Sequence, residues 1–167
     1  TYSKMKPKKV QDRKVLTEIF DNGGGVQWEQ KYKENWNKED MALGNWAGID
    51  AGNVDNEERV LEIIMRGNKN FIGKFPNLFS LTNLVSIDLD HCKLTGNIPK
   101  EIGNLIHLTY LNLSFNDFTG GIPEEIGNLH YLTFLNLNRN PLGGPIPTTI
   151  QHMCNLEYLG LANCQLT

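Results

Sequence analysis

The sequence predicts a solenoid with one short strand per coil, on three observations. The stretch from Leu84 to Thr167 repeats every 24 residues without a slip, with blocks opening at Leu84, Leu108, Leu132 and Leu156. A fixed period of this length marks stacked supersecondary units, each too small to bury its own apolar face. Apolar residues recur at the block start and three and five residues on: Leu84/Ile87/Leu89, Leu108/Leu111/Leu113, Leu132/Leu135/Leu137 and Leu156/Leu159/Leu161. The last two of each set lie two residues apart and so share one side of an extended strand. Ile98-Pro99, Ile122-Pro123 and Ile146-Pro147 then set a second bend in each coil, because proline fixes φ and has no N–H.

The other recurrent positions fit the same coil. Counting each block's first residue as position 0, position 8 holds Cys92, Asn116, Asn140 and Cys164, with Asn68 in an irregular earlier block. A side chain there can point inward at the bend after the strand and satisfy turn amides, which makes these five a structural ladder. Position 10 holds Leu94, Phe118, Leu142 and Leu166, and position 12 holds Gly96, Gly120 and Gly144. Ile102/Leu105, Ile126/Leu129 and Ile150/Met153 point inward again from the return path.

The full pattern, L-x-x-L-x-L-x-x-N-x-L-x-G-x-I-P, resembles the 24-residue plant-type class of the leucine-rich repeat family. The resemblance implies an α/β fold: a right-handed leucine-rich repeat solenoid with a parallel concave β-sheet, short helical segments on the convex side and a helical N-terminal cap.

Three segments follow. Residues 1–9 form a basic flexible tail, with Lys4, Lys6, Lys8 and Lys9 around Pro7. Residues 10–59 form the cap. Val15, Leu16, Ile19 and Phe20 share one face of a helix over Val10–Phe20, with Asp12 as its N-cap, and Asn22-Gly23-Gly24-Gly25 ends it. Trp28, Trp36 and Trp46 are expected in the cap's core. Leu43 to Ile49 reads as the start of an edge strand, and Asp50 to Glu58 as an acidic, turn-rich segment. Asp12, Arg13, Leu16, Trp28, Trp36, Leu43, Gly44, Trp46, Gly48 and Ile49 are similar to an N-terminal cap motif of leucine-rich repeat proteins. The best-known plant caps add a cysteine pair there. This chain has none, which resembles the cysteine-free caps of microbial surface proteins. Residues 60–167 hold about four and a half repeats. The first is degenerate: Val60, Ile63, Met65 and Asn68 are in place, one residue is inserted before Phe71 and one is lost before Leu81.

Composition narrows the functional classes. The net charge is −3 with 21% charged residues, so nucleic acid is not an expected partner. No apolar run is long enough to span a bilayer. The cysteines are read as reduced thiols: Cys92 and Cys164 are three coils apart, roughly 14 Å, beyond disulfide reach. No Cys/His spacing suits a metal, and no cofactor is expected.

Residues between the inward leucines face outward and form columns across the coils. One column is Tyr110–Phe134–Tyr158, and three aligned aromatics on an exposed sheet suggest a binding surface. Asp88, Asn112 and Asn136 form a second column, Asp90 and Asn138 fall in a third, and His91, Phe115 and Arg139 in a fourth. Nucleophile, base and orienting group are nowhere assembled, so no enzyme is expected. The expected function is non-catalytic recognition of a protein or peptide through the concave face, at the cell surface or outside the cell. Two alternatives are a structural or adhesive surface module and a carbohydrate-binding surface protein. The first would self-associate end to end at the C-terminal repeat, where Leu156, Leu159, Leu161 and Leu166 are expected to be poorly covered. Asn112-Leu113-Ser114 is also an N-glycosylation sequon, relevant in a eukaryotic secretory pathway.

Overall fold

The computed structural model describes residues 7–28, 42, 44 and 46–167. Helix α1 (Pro7–Asn22) is followed by strands β1 (Ile49–Val54), β2 (Glu57–Ile64), β3 (Ile72–Lys74), β4 (Ser86–Asp88), β5 (Lys93–Asn97), β6 (Tyr110–Asn112), β7 (Asp117–Thr119), β8 (Phe134–Asn136) and β9 (Tyr158–Gly160). The main sheet runs β1-β2-β4-β6-β8-β9. Its β1 pairs antiparallel with β2, and every later pair is parallel. Partners in the parallel part lie one period apart, as in Glu62–Ser86, Ser86–Tyr110, Tyr110–Phe134 and Phe134–Tyr158. The expected parallel sheet is therefore present, in the register that the leucine spacing dictates.

A second parallel sheet, β3-β5-β7, was not expected from the sequence. It follows the bend, where the chain re-extends. Ile72 pairs with Lys93 and Thr95 with Asp117. The partner thus lies one residue nearer in the first repeat, which is the insertion before Phe71. Each later coil returns through a five-residue 3-10 helix: Lys100–Asn104, Glu124–Asn128 and Thr148–His152. Each starts directly after the Ile-Pro pair, where proline sets an extended φ and ψ. Gly103 and Gly127 let these segments stack, since a Cβ at either would come within 2.5 Å of the next coil's Glu125 or Thr149.

The core is one continuous column of apolar side chains from Val15 to Cys164. The inward leucines of the middle coils are fully buried. In the last coil Leu156, Leu161 and Leu166 are half-buried, and Leu159 is 40% exposed where Leu111 and Leu135 are at 0%.

The ladder is inward, as expected. Asn116 Nδ2 donates to Leu89 O (2.8 Å) in the preceding coil and to Leu113 O (3.0 Å) in its own, while its Oδ1 accepts from Leu94 N (3.0 Å). Asn140 repeats this with Leu113 O (2.9 Å), Leu137 O (3.0 Å) and Phe118 N (3.1 Å). The buried thiols of Cys92 and Cys164 supply only the donor half, to Met65 O (3.3 Å) and Leu137 O (3.1 Å). The amides without a ladder acceptor turn to their own coil: Phe71 N donates to Asn68 O (2.8 Å) and Leu142 N to Asn140 O (2.7 Å).

The N-terminal segment corrects three expectations. Helix α1 begins at Pro7, ahead of Val10, so Asp12 lies inside it and is not its N-cap. Asp12 is instead buried against the first coil. Its carboxylate accepts Arg59 Nε (2.9 Å) and Nη2 (2.8 Å) and the amide of Val60 (3.1 Å). Asp50 to Glu58 is mostly strand, and its turn is only Asp55-Asn56, both with positive φ (51° and 61°). Two successive residues of this kind make the tight hairpin turn that matches strand twist. The edge strand starts at Ile49; Leu43, Trp36 and tail residues 1–6 lie outside the described residues. Trp28 and Trp46 are buried as expected. Trp28 sits edge-on to Phe20 and Phe71 and donates from Nε1 to Gly23 O (2.7 Å), and the Arg13 guanidinium lies 5.2 Å over Trp46.

Two predictions follow from the ladder. Asn140→Leu should lower unfolding free energy in denaturant titration by about 2–4 kcal/mol, since at least two buried backbone partners lose their bonds. All three cysteines are free, with Cys154 exposed. Burial pushes the Cys92 thiol up to about 12 and Cys164 above its usual value. Both should therefore stay protonated near neutral pH, and native protein should react with a thiol reagent at Cys154 alone, with the other two reacting only on unfolding.

Candidate functional site

The columns read from the sequence separate into two kinds. Asp88, Asn112 and Asn136 end their strands, and each accepts the amide two residues on: Asp90 N (3.1 Å), Ser114 N (3.2 Å) and Asn138 N (3.1 Å). A short side-chain carbonyl there shapes the exit from the strand. Between coils, Ser114 Oγ lies 2.7 Å from both Asp90 Oδ1 and Asn112 Oδ1 and accepts from Asn136 Nδ2 (3.2 Å). Asn138 Oδ1 accepts from Ala162 N (2.6 Å). Arg66 Nε donates to Asp90 Oδ2 (3.1 Å).

Asp88, Asp90 and Asn112 are therefore buried, although strand alternation places them on the outward side. Coils 4.7–4.9 Å apart close over short polar side chains. Burial pushes the Asp88 carboxyl above its usual range, partly offset by the Asp90 amide and by Arg66. Asn112, the sequon asparagine, is 5% exposed, and its Oδ1 accepts from Ser114 N and Ser114 Oγ. These residues make a polar floor.

Two rows of larger side chains flank that floor. In the first, Tyr110, Phe134 and Tyr158 stack with centroids 4.5 and 4.4 Å apart and ring planes within 8° of parallel. The tyrosine hydroxyls approach floor residues, Tyr110 OH at 3.5 Å from Asn112 Nδ2 and Tyr158 OH at 3.4 Å from Asn138 Nδ2. Burial and the nearby Asp88 push the Tyr110 hydroxyl up.

The second row is His91, Phe115 and Arg139, just past each strand. His91 stacks on Phe115 at 3.9 Å, the Arg139 guanidinium lies 5.2 Å from the Phe115 centroid, and His91 Nδ1 meets Asp90 Oδ1 at 2.9 Å. All three have positive φ, with Gly67 and Asn163 at the same position of the first and last coils. The 24-residue period aligns this column but shows neither its stack nor its backbone. Its signal was there: glycine and asparagine in one column, the residues that enter the left-handed region most readily. Among the described residues, no group of three His, Cys, Asp or Glu side chains could hold a metal ion. No helix among them is long and apolar enough to cross a membrane.

A search of curated proteins returns no match. Among solved structures, the chain is similar to the BIR2 ectodomain from Arabidopsis thaliana, with 28% identity over 86% of this chain and 77% of that one, at a TM-score of 0.72. It is similar to a chain of the BIR3–SERK2 complex from Arabidopsis thaliana, with 28% identity over 89% and 80% of the two chains, at a TM-score of 0.73. The plant peptide hormone receptor RGFR1, in complex with RGF2, matches at 28% identity over 73% of this chain and 26% of that one, at a TM-score of 0.58. The family model described as a leucine-rich repeat region matches residues 61–166. With that match over the coils whose leucines, ladder and Ile-Pro bends are described above, the chain belongs to the leucine-rich repeat family.

Proposed function

We propose that this chain is a non-catalytic recognition module that takes an extended protein or peptide segment across its concave face. The Tyr110–Phe134–Tyr158 stack carries the reading. The same column holds Glu62 and Ser86 in the first two coils, so the scaffold accepts polar residues there and does not require aromatics. Aromatic side chains concentrate binding energy at protein interfaces. The BIR3–SERK2 complex and the RGFR1–RGF2 complex, in which similar folds meet other proteins, support the same reading. The similarity to an ectodomain supports a place outside the cell or at its surface.

A carbohydrate ligand fits this surface less well. Sugars stack on exposed ring faces, and here each ring covers its neighbour. Phe134 has both faces occupied, and only the outer faces of Tyr110 and Tyr158 are left without a ring partner among the described residues.

The test is a variant with Tyr110, Phe134 and Tyr158 all changed to Ser. Stability should fall by about 1–3 kcal/mol, since two stacked pairs at ~0.5–1.5 kcal/mol each are lost. Far-UV circular dichroism should stay native. Binding of any peptide captured by the wild-type protein from a random-sequence array should be abolished. Normal binding by the variant would remove the concave stack from the interface.

A further inference from the structure

The second row carries an argument of its own, from the backbone. Position 7 is left-handed in every coil: φ is 76° at Gly67, 52° at His91, 54° at Phe115, 55° at Arg139 and 58° at Asn163. The bend after the strand recurs in every coil, and in the first four the amide at this position also donates to the next coil: Gly67 to Asp90 O (2.7 Å), His91 to Ser114 O (3.1 Å), Phe115 to Asn138 O (2.9 Å) and Arg139 to Ala162 O (2.8 Å). Glycine and asparagine meet the requirement most readily, and a bulky side chain is disfavoured there. The scaffold would be better served by Gly or Asn in the three middle coils. Backbone strain retained at a surface position points to a use for the side chain.

The chemistry of the row narrows that use. Phe115 is 41% exposed at its edge, with His91 on one side and the Arg139 guanidinium on the other. The edge of an aromatic ring carries its positive pole. Asp90 Oδ1 lies 2.9 Å from His91 Nδ1 and so orients the ring. Arg59 and Arg66 are each paired with an aspartate, whereas Arg139 has no acidic partner among the described residues. A guanidinium seated against a ring keeps donors that fit a carboxylate as a fork. The ring edge and the guanidinium both favour an anionic group. The row continues past Arg139 to Asn163, so a chain lying along it meets Arg139 in mid-course and not at its end.

We propose that His91, Phe115 and Arg139 set the specificity of the concave surface, and that Arg139 takes the side-chain carboxylate of an extended acidic peptide segment lying along this row. The proposal rests on the peptide-recognition reading above and adds the class of peptide.

The experiment uses an array of random-sequence peptides with amidated C-termini, and a second array with free C-termini, probed with the whole chain. Amidated peptides retained by the wild type should be enriched in Asp and Glu, and their affinity should fall with added salt. Arg139→Gln should weaken them by at least about tenfold, the equivalent of ~1.4 kcal/mol. Arg139→Lys should recover only part of the loss, since the fork is gone. Phe115→Asn should weaken binding of the same peptides, because the Arg139 guanidinium loses the ring it lies against. Three results overturn the proposal: no acidic bias, retention of free-terminus peptides alone, or full affinity in Arg139→Gln. If peptides without acidic bias bind the wild type and lose affinity in the Tyr110/Phe134/Tyr158 serine variant, recognition stands and this assignment fails. If neither array yields a bound peptide, both readings fail.

Discussion

The structure depends on one inward hydrogen-bonding side chain per coil. A strand that bends sharply into its return path leaves carbonyls and an amide facing an apolar interior, where each unpaired group costs about 1–3 kcal/mol. Asn116 and Asn140 resolve this with a single side chain that reaches both its own coil and the one before it. The same contacts fix the stacking distance and the register between coils, so everything on the concave face inherits its spacing from them. Where cysteine stands in the slot it donates but does not accept, and the amide it leaves behind bonds a carbonyl two or three residues back. A thiol is thus compatible with the slot only because the backbone can absorb the acceptor half locally.

The legible part of the fold is the part set by burial. Leucines at a fixed period must face one interior, so the sequence alone places the strands β4, β6, β8 and β9 and their register. What it concealed depends on distant partners or on coil stacking. Asp12 carries the composition of a helix N-cap, yet its carboxylate serves Arg59, 47 residues away. Asp55-Asn56 is a weaker hairpin signal than a pair containing glycine, and it lies in a stretch whose acidity masks strands. Of the candidate site, the Tyr110–Phe134–Tyr158 alignment was legible because it needs only the period. Strand alternation suggested that Asp88, Asp90 and Asn112 were open to a ligand, but their burial follows from neighbouring coils, which alternation does not describe.

The cap extends the same logic to the first coil. The edge of a stacked sheet is a row of unpaired backbone groups, and here an antiparallel strand, β1, covers β2 and becomes the edge in place of the first repeat. The buried ion pair ties helix α1 to β2, and its carboxylate also takes the Val60 amide at the start of the first repeat. Removing one partner of such a pair would leave a buried charge unpaired, at about 3–5 kcal/mol. Hydrogen bonding to Asp12 holds the Arg59 guanidinium above its already high usual value, so that half of the pair keeps its charge across the accessible pH range.

The concave face then divides its labour by side-chain size. Short polar residues are consumed by the coil itself: the carbonyl of Asp88, Asn112 or Asn136 caps a strand exit, and Ser114 joins neighbouring coils. Longer side chains rise above that floor, and these fall in two rows with opposite relations to the scaffold. The tyrosine–phenylalanine row sits on strands, where aromatic residues are favoured and stacking adds stability. Its presence therefore has a structural explanation. The His91–Phe115–Arg139 row sits on left-handed backbone, where the same kind of residue is disfavoured. Stacking and backbone preference thus act together in the first row and against each other in the second.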